Sequence, residues 1–246
     1  MVNPGRYLGL IAGLCASLLT AGGASAQSER CRLALLLALD VSSSVDAREY
    51  DLQRLGLAAA LNAPDVRHAL LSGAPGYVAL AVYEWSGFYQ HKLQLDWTAL
   101  VSPAAIDAAV ATLADMTRSH DDFPTSLGPA LGYGSQMLSR GPSCARQVID
   151  VSGDGVNNYR YGPRVAYKHF PLENVTVNGL AILGDDPRVL GFYRDEVLKG
   201  PGAFLEIARG FDDFQGAMTR KLYREISDIQ VGAAPLAPRS AKEPEG

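Results

Sequence analysis

The sequence predicts an α/β protein in which helices cover both faces of a Rossmann-like, doubly wound and mostly parallel sheet. Apolar segments typical of strands alternate along the chain with segments of near-helical spacing. The clearest strand, residues 33–39, shows no alternation of polar and apolar side chains, which is typical of a strand buried on both faces of a parallel sheet. With 246 residues and 48% hydrophobic content, the chain can bury one substantial core.

Two consecutive strands are predicted to form a hairpin at one edge of this sheet. Tyr77–Trp85 is almost wholly apolar, and residues 89–96 alternate polar and apolar side chains. A short turn that contains Gly87 joins them, so the second strand should pair antiparallel at the edge. The other predicted strands are residues 145–152, 175–183 and 203–208.

Capping signals mark the start of two of the predicted helices. Asp46 is followed three residues later by Glu49, in the manner of a capping box. Ser102 precedes Pro103, a residue favoured in the first helical turn. The predicted helices are residues 46–62, 64–71, 102–116, 126–139, 164–170, 187–198 and 211–226.

Side-chain oxygens follow the first strand at alternate positions, as Asp40, Ser42 and Ser44. In open α/β sheets, ligands bind beyond the carboxyl ends of the strands, which is where this turn should lie. Carboxylate and hydroxyl ligands suit magnesium, manganese or calcium better than zinc. Asp and Ser are also common helix caps, so the pentapeptide by itself leaves a purely structural role open.

Two later segments add oxygen ligands to the same edge of the sheet. Thr125 lies at a loop-to-helix junction, and Asp154 follows the second apolar strand and precedes Gly155. Asp-x-Ser-x-Ser, a distant Thr and an Asp followed by Gly together resemble the von Willebrand factor type A domain and its metal-ion-dependent adhesion site (MIDAS). The resemblance covers residues 32–227 and implies the strand order 3-2-1-4-5-6. The ligand set that it implies is Asp40, Ser42, Ser44, Thr125 and Asp154.

This resemblance implies a site for Mg²⁺, Mn²⁺ or Ca²⁺ whose open position takes an acidic side chain from a partner protein. The Ser-Gly-Asp-Gly segment and the Gly-Pro-Gly-Ala-Phe segment further resemble a bacterial exported subfamily of unassigned function. The leading hypothesis is therefore an exported, metal-dependent protein-binding module. A degenerate site that binds a partner without metal is a further alternative.

A metal-dependent hydrolase acting on phosphoesters is the alternative from a different functional class. The four histidines lie in separate segments without metal-type spacing, and the sequence contains no Gly-x-Ser-x-Gly, P-loop or Gly-x-Gly-x-x-Gly motif. With no convincing base or nucleophile, we expect a protein that is not an enzyme. A net charge of −4 without a long Lys/Arg cluster also argues against nucleic-acid binding.

The loop after the second apolar strand is a candidate partner-contact surface. It carries Asn157, Tyr159, Arg160 and Tyr161, and tyrosine and arginine are enriched at binding hot spots. The two tyrosines could equally pack down onto the neighbouring loop. The sequence leaves these two interpretations open.

The N-terminal 26 residues have the pattern of a secretory signal peptide. Arg6 precedes an apolar stretch over residues 7–20, and Ala24-Ser25-Ala26 is a typical cleavage site. The stretch is too short to cross roughly 30 Å of hydrocarbon comfortably, so we expect cleavage near Ala26, no stable membrane insertion and a periplasmic or secreted location. Residues 228–246 are predicted to be a disordered tail because they are rich in Pro, Ala and charge without periodicity.

Signal cleavage would leave two cysteines, Cys31 and Cys144, each just before a predicted strand. If these two strands are parallel neighbours, both cysteines lie at the same edge of the sheet. Neighbouring strands are about 4.8 Å apart, and a disulfide needs Cα atoms roughly 4.4–6.8 Å apart. An exported protein also folds in oxidising surroundings. We therefore expect a Cys31–Cys144 disulfide.

Overall fold

Six strands form a single sheet in the computed structural model, which describes residues 30–72, 74–184 and 186–227. The strands are β1 (Cys31–Asp40), β2 (Tyr77–Trp85), β3 (His91–Ala99), β4 (Arg146–Gly153), β5 (Thr176–Ile182) and β6 (Leu205–Ala208). Their order is β3-β2-β1-β4-β5-β6, with β3 antiparallel to β2 and every other pair parallel. The predicted fold class and strand order are confirmed.

The helices follow the predicted alternation with the strands. They are α1 (Ala47–Leu61), α2 (Pro64–Ser72), α3 (Pro103–Asp115), α4 (Leu127–Ser139), α5 (Pro163–His169), α6 (Val189–Phe192) and α7 (Phe214–Ile226). The predicted capping box begins α1, where the Asp46 side chain accepts from the Glu49 amide and Glu49 accepts from the Asp46 amide, both at 2.8 Å. The predicted Ser102 cap begins α3 by accepting from the Ala105 amide at 3.1 Å.

Strand β1 lies at the centre of the core because its side chains are buried on both faces of the sheet. Leu35 and Leu37 pack with residues of α1, α2, α3 and α7 on one face. Leu36 and Ala38 pack with residues of α4, α5 and α6 on the other. Burying each leucine contributes about 2 kcal/mol of hydrophobic free energy, which holds β1 in the middle of the core. The end of β1 therefore has a fixed position at the carboxyl edge of the sheet.

The predicted disulfide is present at the opposite edge of the sheet. Cys31 and Cys144 are bonded, and their Cα atoms are 4.5 Å apart. The amide of Ala145 donates to the Cys31 carbonyl at 3.0 Å, so the backbone aligns β4 beside β1 at the same place. The bond therefore joins the two strands whose far ends carry Asp40 and Asp154.

The predicted edge strand at residues 89–96 is wrong in its limits, since β3 begins two residues later and ends three residues later. The turn before it is longer than expected. The Ser86 amide donates to the Gln90 carbonyl at 3.1 Å, and the Gln90 side chain occupies the space beside Gly87. At the other end, Ala99 still pairs with Ala79, which extends the strand.

The predicted helix at residues 187–198 is shorter and less regular than expected. Only Val189–Phe192 is α-helical, and Tyr193–Val197 forms a π-helical turn. The wider turn puts Tyr193 and Val197 into the buried cluster on the α4 side of the sheet. Inserted π turns are frequent at functional sites.

The predicted signal peptide (residues 1–26) and C-terminal tail (residues 228–246) lie outside the described residues. Among the helices that are described, none has the length and apolar character needed to cross a membrane.

Candidate metal centre

The structure brings the predicted ligand residues to one edge of the sheet from three separate segments. Asp40 is the last residue of β1, and Ser42 and Ser44 lie in the turn before α1. Asp154 directly follows β4, the strand beside β1. Thr125 lies one residue before Ser126, the N-cap of α4.

Direct contacts join four of these side chains in a row. The Thr125 hydroxyl donates to the Ser42 hydroxyl at 3.1 Å, and the Ser42 and Ser44 hydroxyls are 3.2 Å apart. The Ser44 hydroxyl donates to Asp154 Oδ1 at 2.8 Å. Oxygens from all three segments therefore face one another over distances that a single ion could bridge.

Asp40 completes the group and is fully buried. Its Oδ1 accepts from the Ser42 amide at 2.8 Å, whereas its Oδ2 has no hydrogen-bond partner in the described part of the chain. Burial, and secondarily the negative charge of Asp154, raise the pKa of Asp40 to about 8. A buried carboxylate oxygen without a partner, next to a second carboxylate, fits a position that a cation would stabilise.

Backbone and side-chain contacts hold the turn that carries the two serines. Arg118 donates to the carbonyls of Val41 and Ser42 at 3.2 and 3.0 Å. Gln53 Nε2 donates to the Asp40 carbonyl at 3.1 Å. These contacts orient the backbone of the turn and so fix the positions from which the side chains of Ser42 and Ser44 project.

Gly153 and Tyr193 form the floor beneath Asp40, and neither was predicted as part of the site. A Cβ at Gly153 would lie 2.7 Å from both Asp40 Oδ2 and the Tyr193 hydroxyl, so only glycine fits between them. The Tyr193 hydroxyl is buried and has no hydrogen-bond partner among the described residues. Burial, with nearby Asp40 and Asp154, raises the pKa of Tyr193 well above its ordinary value, so its hydroxyl stays protonated.

Thr125 is oriented by the loop that follows β4. The Asn158 side chain accepts from the Thr125 amide, and the Asn158 amide donates to the Thr125 carbonyl, both at 3.0 Å. Asn157 Oδ1 accepts from the Leu127 amide at 2.8 Å, in the first turn of α4. The predicted contact residue Asn157 therefore serves this junction, and Asn158, which sequence reasoning missed, positions Thr125 directly.

In the rest of the predicted contact loop, one residue packs against α4 and two are exposed to solvent. Tyr161 is only partly exposed, and a Cβ at Gly128 of α4 would lie 2.2 Å from its carbonyl oxygen. Tyr159 is 40% exposed, and Arg160 is exposed with its guanidinium 5.0 Å from the centroid of the Phe88 ring. The packing interpretation describes Tyr161, while Tyr159 and Arg160 remain on the surface.

A cleft of about 260 Å³ opens next to the ligand residues. The described residues that line it include Ser44, Thr125 and Asp154 together with Glu49, Asp186 and Phe211, and none of the described lining residues is a histidine, cysteine or lysine. Within residues 30–72, 74–184 and 186–227, no group of three or more His, Cys, Asp or Glu residues could hold a metal. A metal here would therefore depend on the hydroxyls as well as the two carboxylates.

Comparison with known proteins assigns the chain to a family. Residues 30–230 match the family described as "Protein of unknown function (DUF1194)". No curated protein matches the sequence significantly.

Solved structures share the fold at low sequence identity. A von Willebrand factor type A protein from Catenulispora acidiphila aligns with a TM-score of 0.53 and 16% identity, over 80% of this chain and 42% of that one. The PilB minor pilin of Streptococcus sanguinis aligns with a TM-score of 0.61 and 13% identity, over 84% and 64%. Proximal thread matrix protein 1 of the mussel byssus, with a zinc-occupied MIDAS motif, aligns with a TM-score of 0.57 and 14% identity, over 81% of this chain and 47% of that one. The chain therefore has the von Willebrand factor type A fold, and it spans less than two thirds of each of these proteins.

Proposed function

This chain belongs to the DUF1194 family, and we propose that it is an exported protein-binding module that holds a divalent cation at the carboxyl edge of its sheet. The ligands would be Asp40, Ser42, Ser44, Thr125 and Asp154. The observation that carries the proposal is the contact row from Thr125 through Ser42 and Ser44 to Asp154. Beside this row lies Asp40 Oδ2, which has no hydrogen-bond partner among the residues that the structure describes.

The charges of this ligand set favour binding a further anionic oxygen. The three hydroxyls are neutral, so two carboxylates balance the charge of one divalent cation. When bound, such an ion would supply an electrophilic position for an oxygen ligand from outside the chain. An Asp or Glu side chain of a partner protein has the matching charge, and it could enter through the cleft beside Ser44 and Thr125.

The ion is expected to be Mg²⁺, with Mn²⁺ or Ca²⁺ as alternatives, because all the proposed ligands are hard oxygens. The mussel structure with a zinc-occupied MIDAS supports divalent-metal binding by this fold. The pilin neighbour supports a role in binding other proteins. A hydrolase is the weaker candidate because the described lining of the cleft contains no histidine, cysteine or lysine, and Glu49, one of its carboxylates, is engaged in capping α1.

Tyr159 and Arg160 would form the rim that contacts the partner around the metal. Both are exposed, and the Arg160 guanidinium lies over the aromatic rings of Tyr159 and Phe88 at 5.1 and 5.0 Å. This arrangement fixes a cation and two aromatic surfaces next to the site. Such side chains are frequent hot spots in protein interfaces.

Export rests on the N-terminal pattern and on the disulfide. Cys31 and Cys144 are bonded, as expected for a protein that folds in an oxidising compartment. We propose cleavage near Ala26 and a periplasmic or secreted location, with no stable membrane insertion. Mass analysis of the N-terminus of the exported protein tests this, and a retained N-terminus would contradict it.

Capture of partners from a cell-envelope extract tests the proposed function. The wild-type chain should capture a protein in the presence of Mg²⁺ and release it when a chelator is added. Asp40→Asn should fail to capture it, because the substitution removes a ligand charge with almost no change of shape. Asp122→Asn is the matched control, since Asp122 is an exposed carboxylate in the loop before Thr125, and it should capture normally. Capture that survives both the chelator and Asp40→Asn would contradict the proposal.

A further inference from the structure

A second buried group of charges lies between α7 and the sheet, away from the candidate metal centre. Lys221 and Glu225 are one helical turn apart on α7, and Asp150 lies in the middle of β4. The exposed fractions of these residues are 0%, 2% and 1%, respectively. Charged side chains are almost never buried to this degree unless they are paired.

The three side chains are within reach of one another. Lys221 Nζ lies 3.0 Å from Asp150 Oδ1 and 3.0 Å from Glu225 Oε1. Although the first distance is short, the geometry is not that of a directed hydrogen bond, and both Asp150 oxygens have no such partner among the described residues. Lys221 Nζ instead donates a hydrogen bond to Glu225 Oε1 at 3.0 Å, which holds the nitrogen against the Asp150 carboxyl group and beside the group that would take its proton.

The surroundings fix these groups in place. Asn178, which pairs with Asp150 across β4 and β5, donates to Glu225 Oε1 at 2.7 Å and accepts from the Phe204 amide at 3.0 Å. Lys221 Nζ lies 4.4 Å from the centroid of the Phe204 ring. The cluster is therefore buried, oriented and bounded by an aromatic ring.

We propose that Lys221 and Asp150 condense spontaneously after folding to form an intramolecular amide between Nζ and Cγ, with Glu225 as the proton carrier. Folding places the nucleophile Lys221, the electrophile Asp150 and the base Glu225 next to one another. The reaction is therefore intramolecular, and no further entropy is lost in bringing the groups together.

The reaction balances without any added reagent. Burial and the adjacent Glu225 raise the pKa of Asp150 to about 8, so the neutral carboxylic acid, the form from which an amide can be made, is populated near neutral pH. The Lys221 ammonium passes one proton to the Glu225 carboxylate, and the resulting amine attacks Asp150 Cγ. Glu225 then gives its proton to the departing hydroxyl and takes another from the nitrogen, so that the N–C bond forms, the C–O bond breaks and one water leaves.

Low polarity at this position favours the amide. Before the reaction, a buried ammonium and a buried carboxylate must be stabilised, whereas the amide and the protonated Glu225 are both neutral. The cross-link would tie α7 to the strand whose end carries Asp154. The Cys31–Cys144 disulfide already joins β1 to the segment just before β4. With the amide, both β1 and α7 would be covalently linked to β4.

Mass spectrometry of the reduced, folded wild-type chain tests the proposal. We expect a mass lower than that of the sequence by one water molecule. Trypsin should release residues 147–160 joined to residues 221–224, because cleavage after Lys221 requires its free ammonium. A full-length mass without this loss, together with separate peptides cleaved after Lys221, would overturn the proposal.

Two variants assign the roles within the cluster. Lys221→Met removes the nucleophile and should show no water loss. Glu225→Gln keeps the shape and the oxygen that accepts from Asn178, but it cannot carry the proton, so it should also retain the full mass. A cooperative unfolding transition, followed by circular dichroism, reports whether each variant has folded. A folded Glu225→Gln chain that still lacks the water would overturn the role of Glu225.

Discussion

Asp40 and Asp150 lie on neighbouring strands, and both are buried carboxyl groups. They differ in whether a basic side chain lies beside them. Burial raises the pKa of each to about 8, and each has a second acidic group nearby, Asp154 or Glu225. Asp150 contacts Lys221 at 3.0 Å, whereas Asp40 has no ion pair within the described part of the chain. The nearest guanidinium, that of Arg118, donates to backbone carbonyls instead.

The difference indicates where this chain needs a cation from outside. The cluster under α7 includes its own basic side chain, Lys221, and is closed to solvent, so it is complete within the fold. The group at the carboxyl edge of the sheet lacks one beside Asp40 and borders a cleft. Two similar acidic pairs thus predict a structural role in one place and a ligand-dependent role in the other.

The largest expected effect separates the two regions by stability. Lys221→Met should lower the free energy of unfolding by about 3–5 kcal/mol, because it removes the link between α7 and β4 and leaves the two acidic groups Asp150 and Glu225 buried together. Asp40→Asn should change it by no more than about 1 kcal/mol without metal, because burial already disfavours the charged form of Asp40 and the substitution keeps the shape. Urea unfolding in the presence of a chelator measures both. Equal losses in the two variants would remove the distinction.

A smaller effect is expected from the floor of the metal centre. Gly153→Ala would place a methyl group 2.7 Å from Asp40 Oδ2, so the carboxylate or Tyr193 must move, at a cost of about 1–3 kcal/mol. We expect the affinity for Mn²⁺ to fall about tenfold, the equivalent of ~1.4 kcal/mol. Gly155→Ala is the control, since its Cβ would meet only Thr125 Oγ1 at 3.7 Å. Isothermal titration calorimetry should distinguish the two, and equal affinities would count against this geometry.

The smallest effect concerns a third group whose pKa is shifted by its surroundings, the partly buried side chain of His91. Burial, followed by the charge of His120, lowers the pKa of His91 to about 4, and its ring stacks on Tyr133 at 4.9 Å. The unfolded chain takes up this proton near pH 6.5 and the folded chain only near pH 4, so stability falls as the pH decreases through this window.

We expect this loss to be about 1–2 kcal/mol after allowing for the partly exposed ring. His91→Phe keeps the stacking and removes the titration. Thermal unfolding of both chains between pH 7 and pH 4 should show the wild type losing more stability than the variant. Parallel curves would show that His91 does not titrate in this way.

Local sequence patterns predicted most of the fold and the positions of the candidate ligand residues at one edge of the sheet. The apolar runs of β1 and β4 and the caps at Asp46 and Ser102 depend on nearby residues, so the elements they define appear almost where expected. The proposed ligands follow strand ends, and the strand order brings those ends together. The disulfide followed from the same neighbouring strands.

Features that depend on distant residues were not predictable in this way. The start of β3 is set by how Gln90 fills the space beside Gly87, and Tyr193 reaches the floor of the site only because a π turn rotates it inward. Lys221 lies on a helix that looks amphipathic, where a lysine would ordinarily face solvent. Only its contact with Asp150, distant in the chain, shows that it is buried.

We propose above all that one divalent cation binds among Asp40, Ser42, Ser44, Thr125 and Asp154. Calorimetric titration of the exported, disulfide-bonded chain with Mg²⁺ and then Mn²⁺ tests it most directly, with Asp40→Ala measured under the same conditions. We expect one ion per wild-type chain and no detectable binding to a folded Asp40→Ala chain. An unchanged affinity in Asp40→Ala, or no binding to the wild type, would contradict it.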